Sequence, residues 1–161
     1  MESDWPEVAR IYQDGLDTGV ASFEIEVPPW DEWDARMRPE LRLVAELRGR
    51  IVGWIAIATT SRRTCYRGVV EHSIYVDEAA RGQGVGRALL ERLVSEAPAY
   101  GVWTIQTSIL PTNAPSLGLH AAVGFRRIGI RERIAQRNGR WQDSVLLELR
   151  LPDADTVGHG V

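Results

Sequence analysis

The segment Arg81-Gly82-Gln83-Gly84-Val85-Gly86-Arg87 constrains the fold more than any other part of the chain. It follows an alternating stretch, Val69–Val76, that reads as a strand. It precedes a helical stripe, Val85, Ala88, Leu89, Leu93 and Val94, on a helix expected from about Gly84 to Ala97. Three glycines at alternate positions let the backbone curl without Cβ clashes and bring several N–H groups toward one anion. The helix N-terminus adds partial positive charge, and Arg81 and Arg87 add full charges. Such a turn suits a pyrophosphate. Its third glycine falls one residue early for a dinucleotide-binding fingerprint, and the unit sits mid-chain. A Walker-type loop needs a lysine, and all 19 basic residues of this chain are arginines. A bare tight turn is the bland alternative, and the agreement of strand, turn, arginines and helix stripe weighs against it.

The remaining elements fit around that unit. Ser3 or Asp4 with Pro6 and Glu7 starts a helix whose stripe is Val8, Ile11, Tyr12 and Leu16. A shorter helix follows Pro28-Pro29, with Trp30, Trp33 and Met37 on one face, and stops at Pro39. Strands are expected at Leu41–Leu47 and Arg50–Thr59, joined by a turn at Arg48-Gly49, and at Val102–Ile109. A helix over Ala114–Ala122 ends at Gly124, and strands Phe125–Ala135 and Trp141–Leu151 flank the hairpin dipeptide Asn138-Gly139. Strands mixed with helices, and hairpins at both ends, give an α/β or α+β domain with a mixed, largely antiparallel sheet. We read residues 1–151 as a single domain and 152–161 as a flexible tail.

Composition narrows the function. At 161 residues and 44% apolar, the chain can bury a core without disulfides or metal. A net charge of −3 argues against nucleic acid or anionic lipid as a partner. The absence of lysine removes Schiff-base chemistry, and the single Cys65 excludes an internal disulfide. The start, MESDWPEVAR, lacks the charged and apolar blocks of a secretory signal, and the apolar run Ile51–Ala58 is too short to span a bilayer. A cytoplasmic location is expected.

Arg81, Gly84 and Gly86 as Arg-x-x-Gly-x-Gly resemble the acetyl-CoA pyrophosphate motif of the GNAT superfamily of N-acetyltransferases. Asn113-Ala114-Pro115-Ser116, His120 and Val123-Gly124-Phe125 resemble the segment lining the pantetheine arm there. Val70–Val76, Ala21-Ser22-Phe23-Glu24 and Gly139–Asp143 resemble the phosphinothricin and methionine sulfoximine acetyltransferase branch. The resemblance implies acetyl-CoA as co-substrate, a small amine or amino-acid substrate, direct transfer in a ternary complex and a homodimer. It implies cofactor contacts at Tyr75, Val76, Arg81, Gly82, Gln83, Gly84, Val85, Gly86, Arg87, Asn113 and Ser116. It also implies substrate contacts at Phe23, Arg63, Tyr66 and Ser73. The family begins with a short strand ahead of the first helix. This sequence starts at that helix, so the first family strand is expected to be missing, either because the start codon is placed late or because the sheet manages without that edge strand.

Acetyl transfer to an amine needs a held thioester, a deprotonated amine, a stabilised oxyanion and an accommodated thiolate. On a strand, Glu71, Ser73 and Tyr75 share one face and Val70, His72, Ile74 and Val76 the other. Glu71 is then either the base, acting through water, or a solvent-facing carboxylate; the resemblance favours the base. His120 either assists the leaving thiolate or is a packed helix histidine. Asn113 either bonds the pantetheine amides or caps the short helix. Arg63 with Tyr66 would clamp a carboxylate or phosphinate, Arg62 and Arg67 being near neighbours; Phe23 either walls the substrate pocket or belongs to the core. Cys65 is read as an ordinary small residue.

Three other readings compete. Peptide or ribosomal-protein N-terminal acetylation needs an open groove instead of an anion clamp. A CoA-binding sensor would lack the catalytic pair that Glu71 and His120 supply. Nucleic-acid binding would use Arg126, Arg127, Arg131, Arg133, Arg137 and Arg140, but alternation splits these across two strand faces. His72, His120 and His159 have no metal-ligand spacing.

Overall fold

The structure is a computed structural model that describes residues 2–151; the expected tail at 152–161, with His159, lies outside them. Six strands form one sheet in the order β1-β2-β3-β4-β6-β5. They are β1 Leu43–Leu47, β2 Arg50–Thr59, β3 Val69–Val76, β4 Thr104–Ile109, β5 Arg126–Arg137 and β6 Arg140–Arg150. The helices are α1 Trp5–Asp17, α2 Trp30–Arg36, α3 Val85–Glu96 and α4 Ala114–Val123. Every strand pairing is antiparallel except β3 with β4. Among the described residues no helix is long and apolar enough to cross a membrane.

Alternation along the strands feeds two cores. Ile55, Ile57 and Val70 point to one face, packing with Leu89, Leu90 and Leu93 of α3 and with Phe125 after α4. Trp54 and Ala56 point to the other face, toward Val8, Ile11, Tyr12 and Leu16 of α1 and Trp33 of α2. The second core is aromatic. Tyr12 meets Trp54 edge-on at 5.2 Å, and Trp54 stacks on Tyr75 at 5.1 Å between ring centroids. The predicted helical stripes of α1 and α3 therefore do their packing on opposite faces of the sheet.

Differences from the sequence reading lie at element ends. Residues 40 and 41 form a turn and β1 starts only at Leu43, although Leu41 is fully buried in the first core. Met37 is not helical; its extended backbone makes an isolated antiparallel bridge to Ala58, continuing the sheet edge beside β2 past the end of β1. β4 starts at Thr104, two residues later than expected. Short 3-10 turns at Glu2–Asp4, Thr64–Tyr66, Glu78–Ala80 and Ala97–Tyr100 carry no periodic pattern that would announce them. The six arginines of the β5–β6 hairpin are not one stripe. Arg126 pairs with Glu148, Arg131 donates to Ser144 and Ser108, and Arg137 donates to the carbonyls of Gly19 and Leu16 at the end of α1.

The feature that makes a site is the short reach of the parallel pairing. β3 pairs with β4 only from Val69 to Glu71, opposite Thr104 to Gln106. β2 continues to pair with β3 as far as Val76, while β4 continues with β6 as far as Ile109. Beyond Glu71 the two central strands separate, and among the described residues β3 has a sheet neighbour on one side only. The sheet is split at its centre.

Candidate active site

A cavity of about 800 Å³ occupies this split. Its walls are Glu71 to Val76 of β3, Thr107 to Ile109 of β4, the glycine turn, the start of α4, and the segment from Val20 to Glu24. Glu71 to Val76 spans about 16 Å at ~3.3 Å per residue, so the turn and Glu71 stand at opposite ends of one strand edge.

At the turn, Gly82 and Gly84 take left-handed backbone, with φ +74 and +82, and a side chain at either position would meet open space. Their requirement for glycine is conformational. Gly84 caps α3, and no side chain caps that helix end. The N–H groups of its first turn have no intrahelical acceptor, and Gly84, Val85 and Gly86 line the cavity, where an anion would satisfy them. Gly86 is different: a Cβ there would stand 3.2 Å from Leu119 and 3.5 Å from Val76, so this glycine lets α3, α4 and β3 approach closely. Arg81 lines the cavity and donates to the carbonyl of Val76. Arg87 and Gln83 fall outside the lining; Arg87 pairs with Glu91 one turn along, and Gln83 bonds back to the Ala79 carbonyl. Asp77 anchors the approach to this turn, accepting from the N–H of Ala79 and from Arg10 of α1 at 2.6 Å. The Arg10 guanidinium holds the Asp77 carboxyl below the usual carboxylate range.

Along β3, Glu71, Ser73 and Tyr75 all line the cavity and are partly exposed. Tyr75 packs over Gly15 of α1, where a Cβ would come within 2.7 Å of its ring. Burial raises the Tyr75 phenol well above its ordinary range, so it stays neutral at any physiological pH. Asn113 caps α4, accepting from the Ser116 N–H at 3.2 Å, and it lines the cavity while donating to the Val20 carbonyl. Ser116 and Phe23 also line the cavity.

The two histidines form a buried pair that sequence reasoning did not connect. His72 Nε2 and His120 Nε2 are 3.0 Å apart, and the rings stack at 5.0 Å. His120 Nδ1 lies 2.7 Å from the carbonyl of Ser116. A carbonyl only accepts, so that nitrogen carries the proton. In the neutral ring Nε2 is then the acceptor, and His72 Nε2 must donate to it. Among the described residues, His72 Nδ1 is left buried without a hydrogen-bond partner. Burial, aided by the neighbouring ring, drives the His72 pKa well below its ordinary value. Burial also lowers His120, against the opposing hydrogen bond to Ser116. Both rings are therefore neutral near pH 7. His120 has its proton committed to Ser116 and its lone pair to His72, so the expected donation to a leaving thiolate has no free N–H to use.

Arg63 and Tyr66 are not brought to the cavity. They sit on the exposed 3-10 turn between β2 and β3, with the guanidinium over the phenol ring at 5.4 Å. Cys65, on the same turn, is exposed. Among the described residues no group of three or more His, Cys, Asp or Glu side chains is arranged to hold a metal ion. Sequence reasoning missed Glu24 and Arg36. Both line the cavity, and Glu24 binds the Tyr12 hydroxyl through one oxygen and Arg36 through the other.

The acetyltransferase (GNAT) family model matches residues 5–125. The chain belongs to the GNAT family. It is 41% identical to phosphinothricin N-acetyltransferase of Alcaligenes faecalis, over 97% of this chain and 82% of that one. It is 31% identical to the L-methionine sulfoximine/L-methionine sulfone acetyltransferase of Pseudomonas aeruginosa, over 92% and 90% respectively. Its fold superimposes on a crystal structure of the Sinorhizobium meliloti phosphinothricin acetyltransferase in complex with AcCoA. There the TM-score is 0.84, the identity 30%, and the coverage 97% of this chain and 88% of that one. This GNAT protein is an N-acetyltransferase, and its mixed, mostly antiparallel sheet with flanking helices is the family's fold.

Proposed function

We propose that this enzyme transfers the acetyl group of acetyl-CoA to the amino group of a small amino-acid-like substrate of the phosphinothricin or methionine sulfoximine type, directly and in a ternary complex. The observation that carries the reading is the split between β3 and β4, with a helix N-terminus that no side chain caps and Arg81 at one end and Glu71 at the other. The diphosphate fits the N–H groups from Gly82 to Arg87, where its charge meets the helix dipole. The unpaired edge of β3 up to Tyr75 and Val76 offers backbone groups to an extended amide-bearing arm. Asn113 and Ser116 face that arm from α4.

At the far end, Glu71 accepts the proton of the attacking amine through a water. An α-amino group has a pKa near ~8, so a carboxylate base has a modest task. Phe23 and Ser73 border the amine. In this reading His120 holds α4 against β3 through His72, and the thiolate leaves without its help. We also propose that the enzyme acts in the cytoplasm as a homodimer; Ile128, Ile130, Ile134 and Trp141, exposed on the β5–β6 hairpin, support a self-association face.

A thiol-release assay with acetyl-CoA tests the reading, run on phosphinothricin, methionine sulfoximine, common amino acids and a peptide with a free N-terminus. Turnover of the amino-acid-like substrates is expected. Turnover of the peptide alone would replace this reading with protein N-terminal acetylation.

A further inference from the structure

We infer that Arg36 is the residue that recognises the carboxylate of the amino-acid substrate, held in position by Glu24 and Tyr12. This rests on the proposed amino-acid acetyltransferase reading and adds a specificity determinant to it.

Two arginines line the cavity, Arg36 and Arg81. Arg81 belongs to the turn at the diphosphate end. Arg36 is the last residue of α2, and the residue after it, Met37, bridges to Ala58 of β2. Ala58 in turn pairs with Glu71. Two neighbouring chain spacings of ~4.8 Å place the Met37 backbone about 10 Å from that of Glu71. Met37, Ala58 and Glu71 all line the cavity, so a small amino acid lying over Ala58 on the cavity face spans that distance, its amine toward Glu71 and its carboxylate toward the end of α2.

The side chain is prepared for this role. Arg36 Nη1 donates to Glu24 Oε1 at 2.9 Å, while the other oxygen of Glu24 accepts from Tyr12. Burial and the Glu24 hydrogen bond push the Tyr12 phenol far above its usual range, so it remains a donor and keeps Glu24 in place. Yet the Arg36 side chain stays 42% exposed, so the N–H donors of its planar fork that Glu24 does not take are reachable from the cavity. A carboxylate meets such a fork through two parallel hydrogen bonds, which a carboxamide or ester cannot copy with full charge. Arg63, the arginine that resemblance nominated, faces Tyr66 outside the cavity.

The test compares the full enzyme with R36Q and R36K on a pair of substrates, an amino acid that the wild type accepts and its α-carboxamide. Loss of a charged, bidentate contact should lower kcat/KM for the acid roughly 10- to 100-fold in R36Q, chiefly through KM. The loss on the carboxamide should be several-fold smaller than on the acid, the Kd for acetyl-CoA should stay within about twofold, and R36K should recover part of the preference by restoring charge without the fork. Proportional losses on acid and carboxamide would overturn the inference, because a merely structural role moves both. An unchanged acid preference in R36Q, lost instead in R63Q, would transfer the role to Arg63. Failure of the wild type to acetylate any amino acid would overturn the underlying reading and this inference with it, an outcome visible before any variant is made.

Discussion

Replacing Gly84 with alanine isolates the backbone geometry of the glycine turn from its packing. Gly84 has φ +82 and ψ 0, and a Cβ there would touch nothing. The substitution therefore carries no steric penalty against neighbours, only the cost of left-handed backbone for an L-residue, about 1–2 kcal/mol. The Gly84 carbonyl accepts from the Ala88 N–H at 2.9 Å, so the residue is tied to the first turn of α3. Two responses are open to the chain. If the turn keeps its shape, urea denaturation reports the whole cost as lost stability. If the turn relaxes, its N–H groups leave the diphosphate position, and calorimetric titration shows acetyl-CoA binding about 5- to 30-fold weaker, the same energy expressed as affinity. The two losses should sum to about 1–2 kcal/mol, with the amine KM little changed. An alanine variant unaltered in both stability and acetyl-CoA affinity would refute the assignment of this turn.

Other perturbations probe the rest of the account. Glu71→Gln should lower kcat on the order of 100-fold while leaving acetyl-CoA affinity intact, as expected for loss of a general base; stopped turnover with lost cofactor binding would indicate a structural role instead. Gly15→Ala forces a Cβ against the Tyr75 ring and should cost about 1–3 kcal/mol of stability by overpacking, read by chemical denaturation; a neutral result would mean Tyr75 moves freely. The buried histidine pair gives a pH prediction. Both folded-state pKa values lie below the unfolded value near 6.5, so the unfolded chain binds the extra protons. Stability is then complete above about pH 6.5 and falls as the pH drops toward the folded values, by about 1.4 kcal/mol per pH unit for each histidine. His72→Gln keeps a donor toward His120 but does not titrate, so its stability curve between about pH 6.5 and 5 should be shallower by one such slope; parallel curves would contradict the pairing.

What the sequence disclosed and what it hid have separate physical origins. Strand alternation in Val69–Val76, the stripes of α1 and α3 and the two hairpin turns are local properties, and the observed elements follow them. The glycine turn was legible because left-handed backbone at Gly82 and Gly84 leaves so narrow a choice of residue. Gly86 looked like part of the same device, although its role is close packing against Leu119 and Val76. The His72–His120 pair joins positions 48 residues apart across the split sheet, and no spacing rule anticipates it. Glu24 and Arg36 meet because the segment after α1 folds back over Tyr12, a tertiary event invisible to periodicity. The choice of Arg63 and Tyr66 rests mostly on resemblance, and neither residue lines the cavity.

A crystal structure of the wild-type enzyme with bound acetyl-CoA tests the central claim most directly. The account predicts diphosphate oxygens on the backbone N–H groups between Gly82 and Arg87, the arm along β3, and the thioester carbonyl in the split beside Glu71. A cofactor bound elsewhere, or a thioester separated from Glu71 by the body of β3, would contradict it.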